Sequence, residues 1–192
     1  MVFPINIPKE GKFTNDELIA LCMENPELNI ERDEKGQILI TTSPTYALTS
    51  SFNSGLNFEI YSWNKKNKAG IVFDSNSAFF LVDNSMRGPD VAWISKEGWN
   101  QLSLKEQKSI PHIVPDFIIE LQSETDNNKE LKLKMTKWVK NGVKLAWLVS
   151  PQSQETLEYF NNKTETIPFN KTLDGKNILV GLELVMAEVI EE

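Results

Sequence analysis

The sequence predicts an α/β fold in which helices flank a mixed β-sheet. A short apolar run at residues 117–121 is typical of a strand that is buried on both faces. A helical pattern over 127–141 follows, stopped by Gly142, and a second buried strand is predicted at 144–149. With strands expected at 70–74 and 78–82 and one beginning at Asp90, these segments form one sheet.

The size and composition of the chain favour one domain over residues 1–192. Its 192 residues are 40% hydrophobic, which is enough for one substantial core, and no Pro/Gly/Ser-rich linker divides them. We expect residues 1–45 to form an N-terminal helix and hairpin appendage. The only cysteine, Cys22, excludes an internal disulfide and a cysteine-rich metal site.

The N-terminal half contains clear start and turn signals. Thr14-x-x-Glu17 is a capping box, and it predicts a helix that ends near Asn25-Pro26. Segments 29–32 and 37–42 flank Asp33-Glu-Lys-Gly36, which indicates a hairpin. Residues 50–64 are predicted to form the helix that leads into the core.

The C-terminal third alternates short apolar runs with Asn-Asn and Asp-Gly turns. This pattern predicts edge strands at 156–160, 166–169 and 178–185, and the last segment of the chain fits either a strand or a helix. The edge strands make a homodimer an expectation. No run of 18 apolar residues and no targeting segment is present, so a cytoplasmic protein without a membrane partner is expected.

The net charge of −7 argues against broad, non-specific affinity for nucleic acid, because phosphate neutralisation needs clustered Lys and Arg. Six lysines nevertheless crowd residues 129–144. These lysines fit two interpretations, a solvated helix face or a cluster that faces the substrate. For the lysines at 65–68 a solvated face is expected.

Glu120 interrupts the apolar run of the central strand. A buried carboxylate is costly unless it is paired or holds a metal. A metal site, a salt bridge to a helix lysine and a position in water at the end of the strand are therefore the alternatives for Glu120. Asp90 lies at the start of another strand, where the two carboxylates could converge. Together with the carbonyl of Leu121 and waters they would suit Mg²⁺. Asp116 lies about 13 Å back along the strand, too far to share the ion.

The order of several motifs resembles the Uma-two family of endonucleases. These motifs are Pro-Asp-Val-Ala-Trp-Ile at 89–94, Pro-Asp-Phe-Ile-Ile-Glu-Leu-Gln-Ser at 115–123, Lys-Met-Thr-Lys-Trp-Val-Lys-Asn-Gly-Val at 134–143 and Trp-Leu-Val-Ser-Pro at 147–151. The resemblance implies a restriction-endonuclease-like core of the P-D-(D/E)-x-K superfamily, with Mg²⁺ or Mn²⁺ as cofactor and DNA as substrate. It implies that Asp90 is the first metal carboxylate and Glu120 the second. The superfamily has lysine two residues after the second acid, but this chain has Gln122.

A lysine on the following helix is a candidate for the missing charge. Leu131, Met135, Trp138 and Val139 gather on one face, and Lys129, Lys137 and Lys140 point away from it. Lys132 and Lys134 flank the apolar stripe, and the wheel alone does not choose between them. The resemblance favours Lys134, four residues before Trp138. The predicted catalytic set is therefore Asp90, Glu120, Gln122 and Lys134.

Four further residues are weaker candidates. Glu31 matches an acid of the related family but is expected to be exposed, and Asn53 fits the inward face of its helix better than Glu59 does. His112 has no nucleophile motif near it, so no catalytic role is assigned to it. A non-catalytic binding module that keeps the nuclease fold is the alternative function, favoured by Gln122 and the acidic charge.

Overall fold

The computed structural model describes residues 2–5, 13–42 and 46–190. The end of the predicted appendage, residues 43–45, lies outside them. The helices are α1 Asn15–Glu24, α2 Ala47–Asn67, α3 Lys96–Gln101, α4 Leu104–Gln107, α5 Asn128–Asn141 and α6 Met186–Val189. The strands are β1 Val2–Ile5, β2 Leu28–Arg32, β3 Ile38–Thr42, β4 Gly70–Phe73, β5 Phe79–Phe80, β6 Met86–Arg87, β7 Val91–Ser95, β8 Phe117–Leu121, β9 Leu145–Ser150, β10 Glu155–Phe160, β11 Lys163–Pro168, β12 Thr172–Asp174 and β13 Glu183–Val185.

The central sheet is mixed, as predicted. Its strand order is β11-β10-β9-β8-β7-β4. The β8–β9 pair is parallel, with α5 as the connection between the two strands, and the other pairs are antiparallel. The predicted α/β fold with a flanked mixed sheet is therefore confirmed.

Alternation along β8 divides the core into two layers. Phe117, Ile119 and Leu121 join the cluster that α2 covers, whereas Ile118 joins the cluster beneath α5. Glu120 has the same parity as Ile118, so its side chain faces α5. The strand thus delivers one carboxylate to a face that a helix covers.

Capping residues fix where α5 begins and ends. The Asn127 side chain accepts a hydrogen bond from the Lys129 N–H, and Gly142, at φ 114°, ends the helix in the left-handed region. Met135 and Trp138 are buried against the sheet. This register leaves Lys134 half-buried at the border of the packed face.

The N-terminal region forms a second sheet with the order β1-β3-β2-β6-β5. The predicted capping box and hairpin are both present. The prediction of a central-sheet strand at 78–82 is wrong, because β5 contains only Phe79–Phe80 and pairs with β6. A turn closed by the Leu81 N–H and the Ser85 carbonyl folds this segment back on itself, so that β5 pairs with β6.

The C-terminal segments cover the α2 side of the core. Strands β10 and β11 extend the central sheet, and β12 pairs with β13 in a separate two-stranded sheet. The predicted strand at 178–185 is too long, since residues 178–182 form turns around Gly181 at φ 78°. The last described segment contains both expected elements, because strand β13 is followed directly by helix α6.

None of the helices in the described part of the chain combines the length and apolarity needed to cross a membrane.

Candidate active site

Asp90 and Glu120 meet at one end of the central sheet. Strands β7 and β8 are neighbours, with Val91 opposite Ile119, so Asp90 lies just beyond the start of β7 near the end of β8. Asp90 Oδ2 accepts a hydrogen bond of 2.7 Å from the backbone N–H of Leu121. The residue next to Glu120 therefore anchors the Asp90 carboxylate.

The Glu120 carboxylate is 4% exposed and hydrogen-bonded on both oxygens. Oε1 accepts from the Trp138 indole at 2.8 Å and lies 2.9 Å from Lys134 Nζ, while Oε2 accepts from the same ammonium at 3.0 Å. Lys134 and Trp138 are one helical turn apart on α5, so both side chains reach the same carboxylate. The helix wheel left Lys132 and Lys134 open, and the structure places Lys134 beside Glu120.

Glu31 on the hairpin strand β2 joins the same group. Its Oε1 lies 3.2 Å from Lys134 Nζ and accepts a hydrogen bond of 3.0 Å from the Gly88 N–H. Lys134 also donates to the Gly88 carbonyl at 3.0 Å. Contrary to the expectation of an exposed hairpin glutamate, Glu31 is half-buried and contacts the site.

The group is rich in negative charge, and the pKa values respond to it. Burial raises the pKa of Glu120 to about 7, a shift that Lys134 opposes and that the charges of Asp90 and Glu31 increase. Burial also raises the pKa of Asp90, against the Leu121 hydrogen bond and Lys134. Burial alone would lower the pKa of Lys134, but attraction to Glu120 and Glu31 outweighs it and raises that pKa.

Asn53 on α2 supplies an unsatisfied oxygen beside Asp90. Its amide nitrogen donates to Asp90 Oδ1 at 3.3 Å, and its Oδ1 is buried without a hydrogen-bond partner among the described residues. A buried amide oxygen without a donor is unfavourable in a dry site but is a suitable ligand or water acceptor near a hard cation.

The donor set fits a hard cation such as Mg²⁺ or Mn²⁺ better than a softer metal such as Zn²⁺ or Cu²⁺. All candidate ligands are oxygens, and Mg²⁺ typically takes one or two carboxylates and keeps several waters. Among the described residues no three Asp, Glu, His or Cys side chains form a complete metal-binding cluster. Asp90, Glu120 and the Leu121 carbonyl would thus hold the ion only together with water, which is the usual arrangement for Mg²⁺.

The other sequence candidates make no hydrogen bond or ion pair with this group among the described residues. The half-buried Gln122 uses its backbone N–H to bond the Val149 carbonyl, and its side chain makes no hydrogen bond with the residues that the structure describes. Asp116 accepts from the Ser95 N–H and pairs with Lys144. Glu59 forms no ion pair or hydrogen bond within the described ranges.

His112 has a structural setting. Its Nε2 lies 2.8 Å from the Asn15 amide nitrogen, and its ring stacks on Phe80 with centroids 4.7 Å apart. Arg32 lies 5.5 Å from the Phe80 ring centroid. These contacts link the N-terminal sheet and α1 to the segment before β8, away from the carboxylates.

Sequence reasoning missed an ion-pair chain that holds Glu31 in place. Arg87 is 4% exposed and pairs with both Glu31, at 3.6 Å, and Glu34, at 3.3 Å. Lys137, on the α5 side that faces away from the apolar stripe, lies 2.9 Å from Glu34 and extends the ion-pair chain. These pairs join residues far apart in the chain, and the turn pattern around Glu34 carried no signal for them.

The chain matches one protein family over most of its length. Residues 16–187 match the Uma2 (Uma-two) family, whose description is "Putative restriction endonuclease". The chain belongs to the Uma2 family. Its predicted membership is therefore confirmed, and no curated protein matches it.

A solved structure is similar to this Uma2 chain over nearly its whole length. It is the crystal structure of "a putative nuclease belonging to DUF820" from Anabaena variabilis, with a TM-score of 0.73 and 20% sequence identity. The match covers 93% of this chain and 97% of that one. It confirms the restriction-endonuclease-like fold, while the roles of individual residues remain predictions.

Proposed function

We propose that this protein is a metal-dependent endonuclease that hydrolyses phosphodiester bonds of DNA, with Mg²⁺ or Mn²⁺ as cofactor. The observation that carries the proposal is the position of Lys134. The Lys134 ammonium lies 2.9 Å from Glu120, and Glu120 is on the strand next to the one that Asp90 precedes. Lys134 is therefore placed to supply the positive charge of the superfamily lysine, which this chain lacks at Gln122. Membership of a family described as restriction endonucleases supports the choice of DNA.

Asp90, Glu120 and the Leu121 carbonyl would hold the ion. When bound, it lowers the pKa of a water and offsets charge on the pentacovalent phosphate. Lys134 stabilises the same phosphate charge from the α5 side, or orients the attacking water. Trp138 fixes the Glu120 carboxylate through its indole N–H, and Leu121 fixes Asp90 through its backbone N–H. The protein thus presents both acids in set orientations.

The alternative is a non-catalytic module that keeps the nuclease fold. One observation favours it, which is that both oxygens of Glu120 already accept hydrogen bonds from Lys134 and Trp138. Such a pair also occurs as a purely structural ion pair in protein interiors. Gln122 and the net charge of −7 point the same way. A measurement of metal binding distinguishes the nuclease from the non-catalytic module.

The proposal is tested by Mn²⁺ calorimetry combined with a DNA cleavage assay on Asp90→Asn and Glu120→Gln. Both substitutions remove one ligand charge, so both should abolish metal binding and metal-dependent cleavage while the protein still folds. Glu158→Gln is the matched control, because Glu158 is also buried and also paired with an indole, that of Trp147 at 3.2 Å, and with a lysine, Lys176 at 3.0 Å.

Glu158→Gln should bind Mn²⁺ as the wild type does. Equal Mn²⁺ affinity in the wild type, Asp90→Asn and Glu120→Gln would reject the proposed ligands. A wild type that binds no metal and cleaves no form of DNA would favour the non-catalytic module.

A further inference from the structure

A shallow, open pocket of about 330 Å³ lies between α2 and the end of β4. Tyr61 forms part of its wall on the helix side and is 53% exposed. No other aromatic ring among the described residues stacks on Tyr61, so its face is available. The pocket is lined by Asn57, Tyr61, Val72, Phe73, Asp74, Asn76 and Ser77.

The pocket lies at the same end of the sheet as the candidate active site. Strand β4 is antiparallel to β7, with Phe73 opposite Ala92, so the chain that follows β4 leaves the sheet beside Asp90. The two strands are about 4.8 Å apart. The turn after β4 also touches the Asp90 loop, because a Cβ built on Gly88 would lie 2.7 Å from the Ser77 carbonyl oxygen.

Helix α2 connects the pocket to the site directly. Asn53, Asn57 and Tyr61 follow one another at intervals of four residues, so they form one stripe along the helix. Asn53 donates to Asp90, and Asn57 donates to the Phe73 carbonyl at 3.4 Å. Tyr61 lies about 12 Å further along the helix axis than Asn53, at about 1.5 Å per residue. That distance corresponds to a few nucleotides of a strand, since stacked bases are about 3.4 Å apart.

The lining selects a planar, polar and uncharged group. A tyrosine ring offers a stacking surface, while the amides of Asn57 and Asn76 can both donate and accept hydrogen bonds. Asp74 accepts from the Asn76 N–H through Oδ1, and its charge would repel a phosphate in the pocket. A nucleobase has the stacking face and the amino or imino donors that this lining suits.

We propose that the pocket is a subsite for an unpaired nucleobase of the substrate strand, a few nucleotides from the phosphodiester bond at Asp90, with Tyr61 as the stacking residue. The inference rests on the proposed function for the identity of the strand. It adds a substrate class, because a base within a duplex is paired and stacked and cannot enter the pocket. Single-stranded or locally unpaired DNA is therefore the preferred ligand.

The test measures binding of a fluorescently labelled single-stranded oligonucleotide by fluorescence anisotropy, with Ca²⁺ as the divalent ion. Tyr61→Ala should weaken binding about tenfold, within the range found when a base-stacking aromatic is truncated. Tyr61→Phe keeps the ring and should restore wild-type affinity. Phe58→Ala is the control, because Phe58 is a more exposed aromatic residue on the same helix, at 63%, and does not line the pocket.

An abasic scan identifies the position of the base. A single abasic nucleotide at the matching position should weaken wild-type binding about tenfold and leave Tyr61→Ala unaffected. Duplex binding should be insensitive to Tyr61→Ala. No oligonucleotide binding by the wild type, or equal affinities of Tyr61→Ala and Phe58→Ala for the single strand, would overturn the subsite.

The subsite and the hydrolase fail in different ways. Metal-dependent cleavage that is unaffected by Tyr61→Ala, with a flat abasic scan, would reject the subsite and leave the proposed function standing. Tyr61-dependent binding without any cleavage by the wild type would support the subsite and reject the hydrolase.

Discussion

Replacing Glu120 with glutamine should change how the stability of the protein depends on pH. In the folded protein burial raises the pKa of Glu120 to about 7, from an ordinary value of 4.5. The folded state therefore holds a proton over a pH range in which the unfolded state has released it. Stability linked to this group is fully present below pH 4.5 and is lost as the pH rises through 7.

The size of the effect follows from the shift. One pKa unit corresponds to about 1.36 kcal/mol, so the whole shift corresponds to about 3 kcal/mol of unfolding free energy. Most of this loss, about 2 to 3 kcal/mol, is expected between about pH 5 and about pH 8. Glutamine cannot ionise, yet its amide oxygen can still accept from the Trp138 indole, so the variant should lack this term and keep the fold.

The assay is urea unfolding of the wild type and Glu120→Gln at several pH values, in the presence of a chelator. Carboxylates that do not contact Glu120, such as Glu34 with its lowered pKa, titrate nearly equally in both proteins and largely cancel in the difference. The wild type should lose stability relative to Glu120→Gln as the pH rises. Parallel stability curves over this range would refute the assignment of a raised pKa to Glu120.

Three further outcomes are expected. Millimolar Mg²⁺ should raise the unfolding free energy of the wild type, by about 2.7 kcal/mol if its concentration is a hundred times Kd, and an unchanged melting curve would count against a metal site. Arg87→Met should destabilise the protein by about 2 kcal/mol, because Glu31 and Glu34 lose a buried partner, and urea midpoints equal to those of the wild type would show that the pairing contributes little. Sedimentation should detect a homodimer, since β4 and β11 each leave one edge unpaired among the described residues, and a monomer at every concentration would contradict this prediction.

The elements that support the site could be predicted because their signals are local. The apolar run of β8, the turn before Asp90, and the Asn127 and Gly142 caps each lie within a few residues. The strand expected at 78–82 failed because Phe79 and Phe80 are buried in different clusters, so apolar character alone could not assign the sheet.

The candidate site could be predicted only in part. Asp90 and Glu120 could be recognised as candidate site residues because a carboxylate is unusual at the start of a buried strand or within it. The choice of Lys134 over Lys132 needed the direction of α5 relative to β8, which a helix wheel lacks. The contact of Glu31 with Lys134 joins residues 103 apart in sequence, and no periodic pattern encodes such a pairing.

The most direct test of the account compares metal-dependent DNA cleavage by Lys134→Met with that by Lys132→Met, both with saturating Mg²⁺. Lys132 is an exposed lysine two residues away on the same helix, so Lys132→Met should cleave at the wild-type rate. Lys134→Met should bind Mn²⁺ but lose cleavage, because the carboxylates remain and the cation beside Glu120 is gone. Undiminished cleavage by Lys134→Met would contradict the assignment of Lys134 as the catalytic lysine.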